Sequence, residues 1–360
     1  MNMERNQAGD WRSCLRRVTP YVPGEQPKEQ NIIKLNTNEN PYPPSPAVVQ
    51  SLKQMDPVRL RLYPDPSCGT LTKALADYHG VGTDQVFVGV GSDDVLAMAF
   101  ITFFNSDRPV FFPDVTYSFY PVWAELFQIP CECKALDESF RIRSEDYYKA
   151  NGGVIFPNPN APTGLVEPLS FIEDILEHNR DVIVVVDEAY IDFGGQSALP
   201  LLARYENLLV TRTYSKSRSM AGVRIGYAIG SPELIRAMQD VKYSFNSYTM
   251  NQAALELGAA ALADEAYFKM TTDRIVATRN AAVRRLTEQG FHCLDSAANF
   301  VFATHPQYDG EKLFAYLRQH GIYVRHFNGP RISQYLRITV GLDEEMERLY
   351  ETLERAYGSL

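Results

Sequence analysis

Between residues 84 and 230 five short β-branched or aliphatic runs (VFVGV, VIF, VIVVV, LLV and IGYAI) alternate with longer stretches of helical period. Such alternation predicts βαβ units on a mostly parallel sheet and excludes all-helical and all-β folds. The runs are continuously apolar rather than alternating, which predicts helices over both sheet faces. Two of the helical stretches illustrate the pattern. Residues 93–104 follow a strand and open with Asp93 and Asp94, charges suited to a helix N-terminus. Residues 168–179 follow another and start with Pro168 near the first turn.

Beyond about residue 250 an Ala-rich helical stretch leads into a shorter α+β pattern. Strands are expected near Phe300 and over 335–340, and helices over 310–320 and 342–357. The first 30 residues are polar, contain Pro20, Pro23 and Pro27, and show no sustained period, so they read as an extended arm of the kind that often lies across a neighbouring subunit. The expected division is an N-terminal arm over 1–35, a large domain over 36–250 and a small C-terminal domain over 251–360. A chain of 360 residues is long enough to bury a core in each domain.

Composition narrows the function. The 35 basic and 44 acidic residues give a net charge of -9, opposite to the electrostatic footprint of a nucleic-acid or anionic-membrane binder, so small-molecule work is the default. Five cysteines are too sparse for a disulfide framework and fit a reducing cytoplasm; Cys131 and Cys133 read as a structural thiol pair. The longest nearly apolar run, 95–104, is too short to span a bilayer, and the N-terminus shows no apolar signal core. A dinucleotide fingerprint is absent because Asp94 stands where a third glycine would follow Gly89 and Gly91, and neither a phosphate-binding GxxxxGK[ST] loop, an HExxH nor a GxSxG occurs.

Four segments at expected strand ends carry the chemistry: GVGSDD (89–94), NPNAPTG (158–164), VVVDEAY (184–190) and TYSKSRSMAGVRIGY (213–227). The buried run before Asp187 delivers an acid to the strand's carboxyl end, where open α/β sheets bind ligands; it is either a ligand partner or a helix cap. Lys216 lies among Thr213, Tyr214 and Ser215 with Arg224 eight residues on, a set suited to a phosphate, the bland alternative being a solvated loop. The turn Gly91-Ser92-Asp93 opening a helix offers backbone N–H groups to the same anion.

Together with LNTNENPYPPSP (35–46), LYPDP (62–66) and LRITVG (336–341), these segments resemble, in order and over about nine-tenths of the chain, the fold type I pyridoxal-phosphate aminotransferases, most closely the histidinol-phosphate aminotransferases. The resemblance implies an α/β fold with a large domain built on a mostly parallel sheet and a smaller α+β domain. It implies pyridoxal 5'-phosphate as cofactor, with Lys216 as the Schiff-base and proton-shuttling lysine and Asp187 holding the ring nitrogen protonated. Tyr190 would reach the ring's 3-oxygen, Tyr117 would stack on the ring, and Gly91, Ser92, Asp93, Thr213, Ser215 and Arg224 would hold the phosphate. Tyr63 would reach the phosphate of the other subunit, which implies a homodimer. Arg337 resembles the arginine that forks a substrate anion, and Tyr21, Asn38 and Arg325 resemble further substrate-side residues.

One departure stands out. Members of the family often carry Asn immediately before PTG, and here that position is Ala161, so either Asn160 takes over a contact to the 3-oxygen through a shifted turn or Tyr190 is left as its main partner. The implied reaction is amino transfer from histidinol phosphate to 2-oxoglutarate. An aromatic amino-acid aminotransferase and a threonine-phosphate decarboxylase share the scaffold and stand as alternatives. A cofactor-binding relative without turnover has no need of Lys216 as a proton shuttle.

Overall fold

The computed structural model describes residues 10–29 and 31–357. After the short strand β1 (Ile33–Lys34), a central sheet is built from β2 (Val86–Gly89), β3 (Val110–Pro113), β4 (Cys131–Lys134), β5 (Gly153–Pro157), β6 (Val184–Asp187), β7 (Leu208–Thr213) and β8 (Gly226–Gly230), in the order β2-β8-β7-β6-β5-β3-β4. All neighbours pair parallel except around β8, which runs antiparallel to both β7 and β2. The helices of this unit are α1 (Pro46–Gln54), α2 (Gly69–His79), α3 (Ser92–Phe103), α4 (Phe119–Phe127), α5 (Leu169–His178) and α6 (Pro232–Phe245).

The continuous apolar runs have the expected cause. Val154, Phe156, Val184 and Val186 face one side of the sheet against Ile172, Ile175 and Leu176 of α5. Ile155 and Val185 face the other, against Val95, Leu96 and Phe100 of α3 and Met238 of α6. Both faces are dry, so no strand residue between the edges needs to be polar. Deleting the fully buried Ile155 side chain to alanine would cost about 2–5 kcal/mol.

The chain continues through α7 (Gln252–Ala263) and α8 (Glu265–Glu288) into a second sheet of β9 (His292–Cys293), β10 (Phe300–Thr304), β12 (Arg325–His326) and β13 (Tyr335–Thr339), order β12-β13-β10-β9, while β11 (Ile322–Tyr323) pairs in parallel with β1. The helices α9 (Gly310–Gln319) and α10 (Asp343–Ala356) pack on it with the C-terminal half of α8.

Several expectations need adjusting. Strands β3 and β4 are additional; β4 is an edge strand whose first three residues are exposed, and it lacks the β-branched run that marks its neighbours. Cys131 and Cys133 lie on it as exposed free thiols, so they are not a buried structural pair. Helix α7 packs on α1 and α2 through Ala254, Leu255 and Leu257, so the packing places it with the first unit rather than after a break at 250. Residues 33–35 pack with the second unit instead of ending the arm. The described part of the arm makes contacts within its own chain: Arg16 donates to the Leu126 carbonyl, Tyr21 stacks on Phe119 at 4.1 Å, and Asn36 donates to the Glu25 carbonyl at 2.7 Å.

Candidate active site

Strands β2, β6 and β7 end at one edge of the central sheet, and their last residues, with the loops that follow, enclose a cavity of about 180 Å³. Asp187, Lys216, Tyr190, Tyr117, Ser92, Asp93, Thr213, Ser215 and Arg224 all line it.

Asp187 defines the floor. It is 4% exposed; Oδ2 accepts a hydrogen bond from the Tyr120 hydroxyl at 3.1 Å, and Oδ1 accepts from the Ala189 N–H at 3.1 Å and the Thr211 hydroxyl at 3.4 Å. Burial pushes its pKa up to about 6 against these bonds, which favour the anion. Its neighbour Glu188, on the opposite side of the strand, is matched by Arg212 at 2.8 Å and by the Ser197 hydroxyl and Ala198 N–H. Asp187 pairs with no cation among the described residues, so a buried carboxylate faces the cavity with its charge uncompensated. A cationic ring nitrogen there would supply what the protein omits.

Lys216 reaches the cavity from the loop after β7. Its Nζ donates to the Thr37 carbonyl at 3.0 Å and stands 5.9 Å from the Tyr190 ring centre. Asn40 fixes the loop by donating to the Lys216 and Ser217 carbonyls at 3.0 and 3.1 Å. The Ser217 hydroxyl donates to Asp192, which meets Arg212 at 3.4 Å. The lysine therefore swings on a stem whose backbone is clamped from both sides.

The opening of α3 forms a cradle. Gly91 sits at φ +84°, and a Cβ there would lie 2.5 Å from the Arg224 Nη2; a Cβ on Gly226 would lie 2.3 Å from the Gly91 carbonyl carbon. Both positions exclude larger residues. Arg224, itself at φ +62°, meets Asp93 at 3.4 Å, and the Tyr117 hydroxyl donates to the same carboxylate at 2.6 Å. Thr213 donates to Ser215 at 3.0 Å. Asp94 turns away to accept the Val90 N–H at 2.9 Å, the helix-terminal role its position suggests. Free N–H groups at a helix start, two hydroxyls and an arginine suit a phosphate. The uncompensated Asp187, this cradle and the lysine between them fit pyridoxal phosphate.

On the substrate side, Arg325 of β12 and Arg337 of β13 are cross-strand partners. Like charges placed opposite one another destabilise a sheet. Neither forms an ion pair with a carboxylate among the described residues. Arg337 donates from Nη2 to the Asn36 carbonyl at 3.0 Å, leaves a buried Nε unpartnered, and lies over the Phe300 and Phe327 rings at 5.4 and 5.5 Å. Burial, then the neighbouring Arg325 charge, lowers its pKa from the ordinary value. Among the described residues, Arg325 reaches the Val22 carbonyl, at 3.5 Å, and the Phe327 ring. Two neighbouring guanidiniums with no carboxylate partner among the described residues have the chemistry to take an anion.

Three sequence-based assignments move. The Asn160 amide is turned from the cavity, donating to the Val115 carbonyl at 2.9 Å and the Thr163 hydroxyl at 3.1 Å, and Ala161 lines the cavity in its place. Asn160 is thus removed from the contacts to the ring. Asn38 is fully engaged, donating to the Tyr190 hydroxyl at 2.9 Å and accepting from Thr339 at 3.0 Å, so its amide serves Tyr190 rather than an open substrate surface. Tyr63 is 82% exposed and tilts against Tyr248 at 4.7 Å, outside its own subunit's cavity. The contacts made by Tyr120, Asn40 and Thr211 were not anticipated; for Tyr120 a signal existed, since it follows Tyr117 by one helical turn at the start of α4.

The model of aminotransferase class I and II matches residues 30–353. Histidinol-phosphate aminotransferase of Pseudomonas putida (strain W619) is 54% identical, with 95% of this chain and 99% of that one covered. Histidinol-phosphate aminotransferase 1 of Methylococcus capsulatus is 55% identical over 95% and 96% of the two chains. The chain belongs to the histidinol-phosphate aminotransferase family. Among solved structures, the Sinorhizobium meliloti histidinol-phosphate aminotransferase in complex with pyridoxal-5'-phosphate superposes with a TM-score of 0.80 at 25% identity, over 90% of this chain and 91% of that one. The Clostridium acetobutylicum enzyme, at a TM-score of 0.83 and 23% identity over 91% of this chain and all of that one, shares the fold.

Proposed function

We propose that this chain transfers the amino group of L-histidinol phosphate to 2-oxoglutarate, giving imidazole acetol phosphate and L-glutamate, with pyridoxal 5'-phosphate as cofactor. The observation that carries the substrate is the cross-strand pair Arg325 and Arg337, which has no carboxylate partner among the described residues. A phosphate monoester, or the α-carboxylate of 2-oxoglutarate on the return half-reaction, which stands where the phosphate ester does, satisfies both guanidiniums.

When bound, the cofactor supplies an electron sink for the pair left as the donor's Cα–H bond breaks. Lys216 Nζ would take that proton from Cα and deliver it to the cofactor's C4′, and would run the same transfer in reverse when the oxo acid enters, its short reach set by the loop clamped by Asn40 and Asp192. Asp187 holds a proton on the ring nitrogen, and Tyr120 and Thr211 keep its carboxylate aimed. Asn38 donates to the Tyr190 oxygen, which leaves the Tyr190 proton free to point at the ring's 3-oxygen, a contact that Ala161 cannot make. Tyr117 covers the ring, and Gly91, Ser92, Asp93, Thr213, Ser215 and Arg224 hold the phosphate. Tyr21, stacked on Phe119 and close enough to Tyr117 and Arg337 to interact with them electrostatically, would border the substrate.

Tyr63, which is exposed, as are Val58, Leu60, Leu62 and Tyr243, and which tilts against the exposed Tyr248, is assigned to a homodimer interface from which it completes the partner's site. The reducing compartment that the sparse cysteines fit is the cytoplasm; among the described residues no helix is long and apolar enough to cross a membrane.

The test is a half-reaction comparison. The cofactor-loaded enzyme is mixed separately with histidinol phosphate and with phenylalanine, and conversion is followed by the change in cofactor absorbance. Histidinol phosphate is expected to react at least about a hundredfold more efficiently, or about 2.7 kcal/mol in the transition state. Equal or better reaction of phenylalanine would make the enzyme a general aromatic aminotransferase.

A further inference from the structure

The eight residues 327–334 join β12 to β13 and leave the second sheet to touch the first unit. At the near end, the Phe327 ring lies 5.5 Å from both the Arg325 and the Arg337 guanidinium carbons and packs on Phe302. At the far end, Arg331 crosses to the other unit. Its Nη1 lies 3.3 Å from Asp114 Oδ2 and donates to the Leu136 carbonyl at 2.9 Å, its Nη2 donates to the Asp137 carbonyl, and its guanidinium covers the Phe140 ring at 5.0 Å. Asp114 is an anchored receiver, because its other oxygen accepts the Val115 and Leu136 N–H groups. It also lies three residues before Tyr117, so the clasp ties the loop behind the two arginines to the loop that carries the ring-covering tyrosine. Between them is a mostly apolar cavity of about 550 Å³, bordered by Tyr117, Pro162, Phe327 and Arg331, so the span is held by the packing of Phe327 and Ile332 on the core and, across the cavity, by the clasp.

Mutual repulsion pushes Arg325 and Arg337 apart, and the shared Phe327 face is an attractive surface on which both guanidiniums settle. Where that ring stands depends on the loop, and the loop's free end is set by Arg331. We infer that Arg331 is a positioning residue for recognition of the substrate's phosphate: its clasp on Asp114, Leu136 and Asp137 holds Phe327 where it sets the spacing of the two arginines. The inference rests on the reading of Arg325 and Arg337 as the phosphate site. It separates binding from chemistry, because Arg331 touches neither Lys216 nor Asp187 nor the cradle at α3.

The experiment compares wild type, Arg331→Ala and Arg331→Lys as cofactor-loaded full-length enzymes. It measures KM and kcat for histidinol phosphate, the competitive inhibition constant of inorganic phosphate, cofactor content and the thermal midpoint. For Arg331→Ala, KM and the phosphate inhibition constant are expected to rise together by about tenfold, with kcat within about twofold and cofactor content unchanged. Arg331→Lys, which keeps the charge and can reach one or two of the three acceptors, is expected to recover most of that loss. Equal phosphate inhibition of wild type and Arg331→Ala overturns the clasp alone. A fall in kcat or cofactor content with KM unmoved also overturns it, by showing a structural role for the whole site. Should Arg331→Ala fail to fold, the proposal stands or falls on Arg331→Lys, which must show a smaller but parallel rise in both constants. A wild type insensitive to inorganic phosphate overturns the underlying site reading, and the clasp with it.

Discussion

Replacing Asp187 with asparagine in the cofactor-free enzyme isolates the consequence of leaving a carboxylate alone at the sheet edge. Burial lifts its pKa from 3.8 to about 6, roughly two units, which corresponds to about 3 kcal/mol. For an acid, a raised pKa means that the folded state binds the proton more tightly than the unfolded chain does. Stability from this group is therefore present at low pH and is lost as pH rises from about 4 through 6. Asparagine carries no such penalty, although with one oxygen in place of two it gives up an acceptor among Tyr120, Ala189 and Thr211, at about 1 kcal/mol independent of pH. The unfolding free energy of D187N minus that of wild type should thus grow by about 2 kcal/mol between pH 4.5 and pH 8, the rest of the ~3 kcal/mol being lost below pH 4.5. At about 2.1 cal/mol/K per residue over 360 residues, that is a shift of about 3 °C in the difference between their midpoints. Thermal unfolding of both cofactor-free proteins at the two pH values reads this directly, since other titrating groups cancel in the difference. Adding pyridoxal phosphate should reverse the ranking at pH 8, because the ring nitrogen compensates Asp187 only in wild type. A difference that is independent of pH, or that shrinks as pH rises, would refute the reasoning.

Other expectations follow from the same geometry. Y120F removes a hydrogen bond to a buried carboxylate, worth about 1.5–3 kcal/mol, and should weaken cofactor binding by about 10- to 100-fold in an absorbance titration; an unchanged dissociation constant contradicts the assignment. G91A places a Cβ 2.5 Å from the Arg224 Nη2 at a φ of +84°, so cofactor affinity should fall sharply while the far-ultraviolet circular dichroism stays native; normal affinity would show that the cradle lies elsewhere. K216A should retain cofactor but lose its lysine-dependent visible absorbance, and amino transfer should slow by at least about 10²–10⁴-fold; a variant with wild-type turnover would remove Lys216 from the proton path.

How much of this was legible beforehand depends on where each contact originates. Strands β5, β6 and β7 could be read because burial on both faces makes their apolar runs continuous. Strand β4, exposed at the edge and spelled Cys-Glu-Cys-Lys, carries no such mark. Asp187 and Lys216 could be placed because a strand end or a hydroxyl-rich turn is local in sequence, and the structure brings both to one cavity. Asn160 could not, because the turn's path decides which of two adjacent side chains faces in, and it chose Ala161. The clamps on Lys216 and Tyr190 join residues more than 150 positions apart, through Asn40 and Asn38, so only the folded chain reveals them. Arg325 and Arg337 were each visible as candidates, but their facing positions are a matter of strand register between β12 and β13.

The central claim is that these two arginines select a phosphate ester. The most direct test is the ratio of kcat/KM for histidinol phosphate to that for histidinol, the same amine without the phosphate, in wild type and in Arg325→Ala. Charge-assisted hydrogen bonds of about 1.5–3 kcal/mol from each arginine predict a wild-type ratio of at least about a hundredfold, falling by about ten- to a hundredfold in the variant. A wild type that uses histidinol nearly as well, or a ratio that survives the loss of Arg325, would contradict the account.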